Sequence, residues 1–383
     1  MDYRRPPERD SWFAPLSVDL VHKVLMKTFL HPFICWLIPL CFRAETMEWD
    51  APPMLVVIAW ATFITLCWMA SMINKRITFG LPREVDLSEE VIVITGGASG
   101  LGLLIAEVYG MRGATVAVLD IKDMENGEAR GVTVYKCDVK DKAQLAQAAK
   151  DIERDVSADP KSSCNPFLLC YGDTGADRTQ LGPPTVLINN AAVVVGKSLL
   201  DMDLSELDDS ITTNLLGYFY ALKAFLPAMV RSENGATVVT VSSVIGHLGA
   251  AKLTDYAAAK AGVTAMHKSL TAELRESHPE VRTVLVEPGQ LSTPLFYGVQ
   301  TPNSFLAPVV EPVDVAKEII AAIDEGHSGH VAAPLYARWI DYYNILPTSL
   351  QVLVRRLAGV DTAMRTFVGR SGRQAVGKAE SLI

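Results

Sequence analysis

Hydrophobic side chains are most concentrated near the N-terminus of this chain of 383 residues. Residues 54–73 form a run of twenty residues without a charged side chain, and Lys75 and Arg76 follow it. A helix needs about 20 apolar residues to cross the hydrocarbon core of a bilayer. The run therefore predicts a transmembrane helix at 54–73.

A second uncharged stretch, residues 28–42, is shorter and contains two prolines. At about 1.5 Å per residue it falls short of a ~30 Å hydrocarbon core, so it fits a short second crossing, a re-entrant segment or an interfacial helix. Basic residues flank the two stretches on the outside, and three acidic residues lie between them. The positive-inside rule favours a membrane-anchoring hairpin at 1–80 with both ends in the cytoplasm.

From residue 88 onward, short apolar and β-branched runs alternate with segments of helical spacing. This alternation predicts an α/β fold, a doubly wound parallel sheet that is Rossmann-like, in a domain at 88–333. The predicted strands are 91–95, 114–119, 132–137, 185–188, 237–241, 281–286 and 329–332, and the predicted helices are 101–111, 140–154, 204–229, 254–277 and 313–323. Sheets of this kind bind ligands at the carboxyl ends of their strands.

Two segments do not follow the alternation. Residues 156–180 are polar and loop-like, and compact domains seldom contain structureless loops of this length. Either a surface insertion or a retained intron explains them. Residues 334–383 form a tail with an apolar and aromatic stripe at 335–368, which fits either core packing or an interfacial helix on a membrane.

A glycine-rich turn connects the first predicted strand to the first helix of the domain. Residues 96–102 read GGASGLG, and the apolar helical segment follows directly. Glycines let a backbone approach a pyrophosphate closely, and a helix N-terminus faces its negative charge. The order of strand, glycine turn and helix therefore predicts a dinucleotide-binding unit.

Tyr256 and Lys260 are four residues apart on a predicted helix, and Ser243 lies thirteen residues before the tyrosine. Side chains at i and i+4 share one helix face. A phenol titrates near 10 in water, and a neighbouring cation lowers its pKa, so the pair predicts a general base that can take a proton from an alcohol. A solvated helix face gives the same spacing, so the pair is informative only together with the glycine turn.

Together these features resemble the short-chain dehydrogenase/reductase family over about residues 88–300. This chain has counterparts, in the same order, of the family's glycine turn, adenine-binding aspartate, NNAG strand end, asparagine, serine, YxxxK pair and PG segment. These counterparts are residues 95–102, Asp138 with Val139, residues 189–192, Asn214, Ser243, Tyr256 with Lys260, and Pro288 and Gly289 followed by Thr293. One departure is Ala192, which stands where the family has glycine.

The resemblance implies an enzyme that interconverts an alcohol and its carbonyl with a nicotinamide cofactor. It makes Tyr256 the general acid/base, and Lys260 lowers the pKa of Tyr256 and holds the nicotinamide ribose. Ser243 then binds the substrate oxygen, and Asn214 positions a water. The expected cofactor-binding residues are Gly96, Ser99, Gly100, Leu101, Gly102, Asp120, Asp138, Val139, Asn190, Ala191, Tyr256, Lys260, Pro288, Gly289 and Thr293.

The end of the second predicted strand bears on which nicotinamide cofactor is used. Asp120 ends this strand, and Ile121 follows it. A carboxylate here can accept hydrogen bonds from the adenosine ribose, whereas it repels a 2′-phosphate. Neither Ile121 nor Ser99 carries a positive charge to receive that phosphate. The sequence predicts a preference for NAD(H), with NADP(H) as the alternative.

Composition narrows the range of partners. The formal net charge of −8 argues against general nucleic-acid binding, and the six cysteines show no paired spacing for a zinc site, so no metal is expected. Cys164 and Cys170 fit a local disulfide, although free thiols are expected in a cytosolic domain. Mean hydropathy is positive at +0.21, which is unusual for a purely soluble protein.

An N-terminal anchor, a catalytic domain and an apolar tail resemble the membrane-bound retinol and hydroxysteroid dehydrogenases. That resemblance implies a lipophilic substrate, a membrane partner and a location at the endoplasmic reticulum or lipid droplets with the catalytic domain in the cytoplasm, and it is compatible with a homodimer. Two alternatives stay open. One is an NADPH-dependent 3-ketosphinganine-type reductase, and the other is a non-enzymatic lipid-surface protein, against which the intact Asn214, Ser243, Tyr256 and Lys260 argue.

Overall fold

A seven-stranded parallel sheet organises the computed structural model, which describes residues 16–127, 129–158, 183–299, 305 and 307–368. The strand order is β3-β2-β1-β4-β5-β6-β7. The strands are β1 Val91–Thr95, β2 Thr115–Asp120, β3 Val132–Lys136, β4 Val186–Asn189, β5 Ala236–Val241, β6 Val281–Pro288 and β7 Gly329–Ala333. The helices are α1 Val18–Lys27, α2 Pro32–Ala44, α3 Pro52–Phe79, α4 Gly100–Met111, α5 Lys142–Ala158, α6 Leu204–Ile211, α7 Gly217–Met229, α8 Ile245–Leu248, α9 Thr254–Ser277, α10 Pro312–Asp324, α11 Ile340–Tyr343 and α12 Thr348–Ala358.

Helices cover both faces of the sheet, which confirms the predicted doubly wound fold. On one face Leu145 of α5, Phe225 of α7 and Val263 of α9 pack against the strands. On the other face Ile105 of α4 and Ile319 of α10 do so. Strands buried on both faces are continuously apolar, which is why their β-branched runs could be recognised in the sequence.

The strand order reverses beside β1. β1 pairs with β2 on one side and with β4 on the other, so the chain leaves the sheet in opposite directions after these strands. A crevice at the carboxyl ends of the strands opens at such a switch point. The sheet therefore places the glycine turn after β1 and the asparagines at the end of β4 around one crevice.

The long helix predicted at 204–229 is interrupted in the structure. α6 and α7 are joined by a π-helical turn, Thr212–Leu216, which contains Asn214. Single π-helical turns occur frequently at functional sites. The predicted insert at 156–180 lies outside the described residues except for the last residues of α5, and so do Cys164 and Cys170.

The N-terminal region forms a helical hairpin. Among the residues that the structure describes, α3 is the one helix long and apolar enough to cross a membrane, and it extends beyond the predicted 54–73. α2 packs on α3, and Trp36 Nε1 donates a hydrogen bond of 3.0 Å to Thr65 Oγ1. α1 and α2 meet at an angle of 56°. They are long and apolar enough to cross a membrane only if the two are counted as one broken span.

The connector between α3 and β1 is fixed to the amino ends of the strands. The Arg83 backbone nitrogen donates to the Gly326 carbonyl (3.0 Å), and its guanidinium binds both carboxylate oxygens of Glu90 at 2.8 and 3.0 Å. Arg83 Nε also donates to Thr237 Oγ1 (3.0 Å), and Thr185 donates to the Glu90 carboxylate. The N-terminal hairpin therefore joins the domain at the amino ends of the strands, on the side of the sheet opposite the crevice.

The C-terminal tail packs in two ways. Ile340 and Tyr336 belong to a cluster with Val244 and Ala332, as core packing predicts. In α12, by contrast, the apolar side chains Leu350, Val352, Leu353, Val354 and Leu357 are exposed. Core packing thus applies to the first part of the stripe, whereas an interfacial helix stays a prediction for α12.

Candidate active site

A cavity of about 420 Å³ lies at the carboxyl ends of the strands, beside the switch point. The glycine turn, the ends of β2, β4 and β5, and the segment after β6 form its walls. Of the residues predicted from the sequence, Gly96, Ser99, Gly100, Leu101, Asp120, Asp138, Val139, Asn190, Ala191, Ser243, Tyr256, Lys260, Pro288, Gly289 and Thr293 line it. Gly102 and Asn214 do not line it.

The glycine turn brings backbone close to the cavity. Gly100 has φ +59°, and a Cβ there would meet only the Thr293 side chain, at 3.8 Å or more. A Cβ at Gly102 would lie 2.7 Å from Asn190 Nδ2, so this glycine lets α4 pack against the end of β4. The turn leaves room for a phosphate group beside the N-terminus of α4, where backbone N–H groups are available.

Asp120 fixes the turn from the end of β2. Its carboxylate accepts hydrogen bonds from the Ala98 nitrogen (3.1 Å) and the Lys122 nitrogen (3.0 Å). The same carboxylate and Ile121 line the cavity. A carboxylate oxygen can accept more than one hydrogen bond, so Asp120 can still bind a hydroxyl group of a ligand.

α9 brings Tyr256 and Lys260 to the cavity on one helix face, and both are almost completely buried, with 4% and 1% exposed. Lys260 Nζ donates to Tyr218 Oη (2.9 Å) and to the Val241 carbonyl (2.8 Å). It lies 5.6 Å from the centre of the Tyr256 ring. Ser243 Oγ donates to the Pro288 carbonyl (3.3 Å), so the serine is held between β5 and the PG segment.

The protonation properties of this pair differ from the prediction. Burial raises the pKa of Tyr256 well above its usual value, and the Ser243 hydroxyl lowers it only in part. Burial also lowers the pKa of Lys260 to about 7. The ammonium points to Tyr218 and Val241 and not to the Tyr256 hydroxyl, which explains why the expected lowering of the tyrosine pKa is not seen.

Asn214 lies behind the cavity wall. Its Oδ1 accepts from the Val193 nitrogen (3.0 Å), and its Nδ2 donates to the Val193 carbonyl (2.9 Å) and to Ser210 Oγ (3.2 Å). Ser210 in turn donates to Asp255, the residue before Tyr256. The asparagine side chain thus connects the end of β4 to the start of α9.

Several residues near the site were not singled out from the sequence. Tyr218 contacts Lys260, and its position four residues after Asn214 is a spacing that could have indicated a shared helix face. Glu287 precedes the PG segment and accepts hydrogen bonds from His247 (2.8 Å), His330 (2.9 Å) and Thr264 (2.8 Å). Burial by itself would raise the pKa of Glu287, but these hydrogen bonds hold it below its usual value.

Comparison with known proteins identifies the family. A sequence model described as short chain dehydrogenase matches residues 90–158 and 176–303, more than half of the chain. The chain belongs to the short-chain dehydrogenase family. Short-chain dehydrogenases are oxidoreductases, and their fold implies a nicotinamide cofactor, whose pyrophosphate fits the space beside Gly100. Residues 159–175, between the two matched stretches, fall within the segment interpreted as an insertion or a retained intron.

Curated relatives cover most of the chain. Short-chain dehydrogenase/reductase 3 of Homo sapiens is 30% identical over 314 residues, which cover 78% of this chain and 94% of that protein. Retinol dehydrogenase 10 of Homo sapiens is 29% identical over 317 residues, with coverages of 78% and 91%. A crystal structure of a short-chain dehydrogenase from Burkholderia cenocepacia J2315 in complex with NADP covers 72% of this chain and 99% of its own, with a TM-score of 0.52 and 21% identity. This likeness shows the same fold.

Proposed function

We propose that this short-chain dehydrogenase is anchored in a membrane and interconverts a lipophilic alcohol and its carbonyl. The observation that carries the proposal is that Ser243, Tyr256 and Lys260 line the same cavity as the glycine turn. A proton-transferring side chain and a dinucleotide cradle are the two parts that this reaction requires.

Different residues of the site bind the cofactor and transfer the proton. Gly96 and Gly100, with the N-terminus of α4, hold the pyrophosphate, and Asp138 and Val139 hold the adenine. When bound, the nicotinamide accepts or supplies the hydride. Tyr256 Oη takes the proton from the alcohol or returns it to the carbonyl oxygen, and Ser243 Oγ binds that oxygen.

Lys260 is assigned to the cofactor. Its side chain lines the cavity beside Tyr256, and its Nζ atom is held by the Tyr218 hydroxyl and the Val241 carbonyl. We assign it the nicotinamide ribose.

An apolar substrate agrees with the walls of the cavity. Beside Ser243 and Tyr256 these walls carry Val195, Leu295 and Phe296. Retinol dehydrogenases are among the relatives of this chain. The test is a screen of retinoid, steroid and long-chain alcohols with purified full-length protein and both nicotinamide cofactors. Turnover of at least one class is expected, and a protein that binds cofactor but oxidises none of them contradicts the proposal.

The first prediction concerns cofactor choice. We expect kcat/KM to favour NAD(H) over NADP(H) by at least about tenfold, which corresponds to about 1.4 kcal/mol, because Asp120 repels a 2′-phosphate and Ile121 cannot bind one. Combining Asp120→Ala with Ile121→Arg should reverse the preference. The measurement is kcat/KM for both cofactors with one alcohol.

The matched control for this prediction is Asp123→Ala. Asp123 carries a carboxylate in the same connection after β2, but its side chain is exposed and bound to Lys136 (2.6 Å). This variant should keep the wild-type ratio of the two cofactors. A wild-type preference for NADP(H) would refute the role of Asp120 and favour a reductase of the 3-ketosphinganine type.

The second prediction concerns the membrane. Full-length protein should remain in the membrane fraction after carbonate extraction because α3 is 28 residues long and mainly exposed apolar surface. A chain that starts at Gly80 retains Arg83 and should be released or only weakly bound. Release of the full-length chain by carbonate alone would contradict a spanning α3.

We also propose that both termini and the catalytic domain lie in the cytoplasm, at the endoplasmic reticulum or lipid droplets. The charges around the hairpin support this orientation through the positive-inside rule. An acceptor site for N-glycosylation added after the last residue should stay unmodified in cells. Glycosylation of that site would overturn the orientation.

A further inference from the structure

Glu287 is a buried carboxylate next to the PG segment, near the end of β6. It is only 1% exposed, although it does not line the cavity. Its Oε1 accepts hydrogen bonds from His247 Nε2 (2.8 Å) and Thr264 Oγ1 (2.8 Å), and its Oε2 accepts one from His330 Nε2 (2.9 Å). These three donors offset the cost of removing the charge of Glu287 from water.

Two of the three donors stand close in sequence to residues of the proposed proton-transfer site. His247 on α8 follows Ser243 by four residues, and Thr264 on α9 follows Lys260 by four. α8 and α9 also pack on each other. The carboxylate of Glu287 therefore links the segment that carries the serine to the helix that carries the proposed acid/base.

The backbone beside Glu287 holds Ser243 directly. The carbonyl of Pro288, the next residue, accepts hydrogen bonds from Ser243 Oγ (3.3 Å) and from the Val244 nitrogen (3.2 Å). Both partners in these hydrogen bonds are thus connected to one carboxylate. Pro288 is connected to it through the backbone, and the serine segment through His247.

A second set of hydrogen bonds closes this network around Ser242. Its Oγ lies 2.8 Å from Thr264 Oγ1 and 2.9 Å from the Lys260 carbonyl, and its nitrogen donates to the Val286 carbonyl of β6 (2.7 Å). Ser242 and Thr264 are both buried. The polar groups behind the cavity therefore fix β5, β6 and α9 to one another.

The charge of Glu287 matters to this network because His247 lies between two carboxylates. Its Nε2 faces Glu287, and its Nδ1 lies 3.2 Å from Asp341 Oδ1 on α11. The hydrogen bond to Glu287 raises the pKa of His247 and Asp341 adds to this effect, whereas burial and Lys268 of α9 oppose it. The charged histidine donates with both ring nitrogens. An amide at position 287 would have the same shape but would lack the charge and one acceptor oxygen.

We propose that Glu287 is a positioning residue that sets the distance between the Ser243 and Tyr256 hydroxyls by holding the serine segment, α9 and the PG segment together. This inference rests on the proposed function, in which both hydroxyls reach the same substrate oxygen. A displacement of about 1 Å in such a group can cost about 10²-fold in rate. Because Glu287 lies outside the cavity, it acts through His247 and Thr264.

The test measures kcat of full-length protein with retinol, a steroid alcohol and dodecanol, divided by the number of NADH-binding sites, which counts the folded protein. Glu287→Gln and Thr264→Val keep the volume of the side chain and remove part of the network. Both should lower kcat per site about tenfold for every alcohol that the wild type oxidises. The affinity for NAD(H) should stay within about twofold of the wild type. A merely structural role would instead lower the number of sites and leave kcat per site unchanged.

Glu280→Gln is the matched control. Glu280 stands before the other end of β6 and also pairs with a histidine, His278 (3.2 Å), but this pair is exposed. The control should keep the wild-type kcat per site. If Glu287→Gln yields no cofactor-binding sites, Thr264→Val decides the test.

Unchanged kcat per site in both variants overturns the inference, and the proposed function stands as long as the wild type oxidises an alcohol. A wild type that oxidises none contradicts the proposed function, and backbone hydrogen exchange then tests the positioning role without turnover. Residues 244–249 should exchange faster in Glu287→Gln than in the wild type or in Glu280→Gln. Equal exchange in the three proteins overturns the inference.

Discussion

Tyr256→Phe is expected to lower kcat for alcohol oxidation and for carbonyl reduction by roughly 10²–10⁴-fold, the usual contribution of a positioned acid/base. The substitution removes one oxygen atom and keeps the ring, so the edge-to-face contact with Phe296 is retained. Cofactor affinity should therefore remain close to that of the wild type. The measurements are steady-state kinetics with a lipophilic alcohol and equilibrium binding of NAD(H).

The control for this prediction is Tyr109→Phe. Tyr109 is another fully buried tyrosine, on α4, and its hydroxyl donates to Asp324 (3.0 Å) away from the cavity. Removing the Tyr109 hydroxyl should leave kcat nearly unchanged even if the stability of the protein falls. Substantial turnover by Tyr256→Phe, or an equal loss in Tyr109→Phe, would remove Tyr256 from the proton-transfer step.

Glu90→Ala is expected to destabilise the catalytic domain by about 3–5 kcal/mol, because it leaves the Arg83 guanidinium buried without its carboxylate. The two side chains are only 3% and 4% exposed, and the pair also engages Thr185 and Thr237. For a domain of this size the melting temperature should fall by roughly 10 °C. Thermal unfolding of full-length protein in detergent measures the change.

The matched control combines Arg83→Met with Glu90→Leu. It removes both charges together and fills the space with apolar groups, so most of the lost stability should return. A double variant as unstable as Glu90→Ala would indicate that shape, and not an unpaired charge, accounts for the effect. A Glu90→Ala protein that melts like the wild type would show that the ion pair does not stabilise the domain.

The central strands could be predicted because they are buried on both faces. Runs such as 91–95 and 237–241 consist of β-branched residues, and the structure places every predicted strand within two residues of its expected bounds. The π-helical turn around Asn214 could not be predicted, since a hydrophobic period of 3.6 residues continues across it. Arg83 and Glu90 could not be predicted either, because an isolated charge in a sequence is normally a surface charge.

Part of the site could also be predicted from the sequence, because some of its motifs have a local geometry. The spacing of Tyr256 and Lys260 defines a shared helix face, and the glycine turn has its own local geometry. Which atoms Lys260 contacts depends on Tyr218, which lies 42 residues earlier in the chain. The sequence likewise identified the tail as an apolar stripe, but only the path of the chain shows that Met364 reaches Tyr256 while Leu357 stays exposed.

The central claim is that this cavity transfers hydrogen between a lipophilic alcohol and a nicotinamide ring. The most direct test incubates purified full-length protein with NAD and an alcohol that carries deuterium on its carbinol carbon, and then analyses the reduced cofactor by mass spectrometry. We expect one deuterium per reduced nicotinamide in the wild type, and roughly 10²–10⁴-fold less labelled reduced cofactor from Tyr256→Phe in the same time. Reduced cofactor without deuterium, or equal amounts of labelled cofactor from both proteins, would contradict the claim.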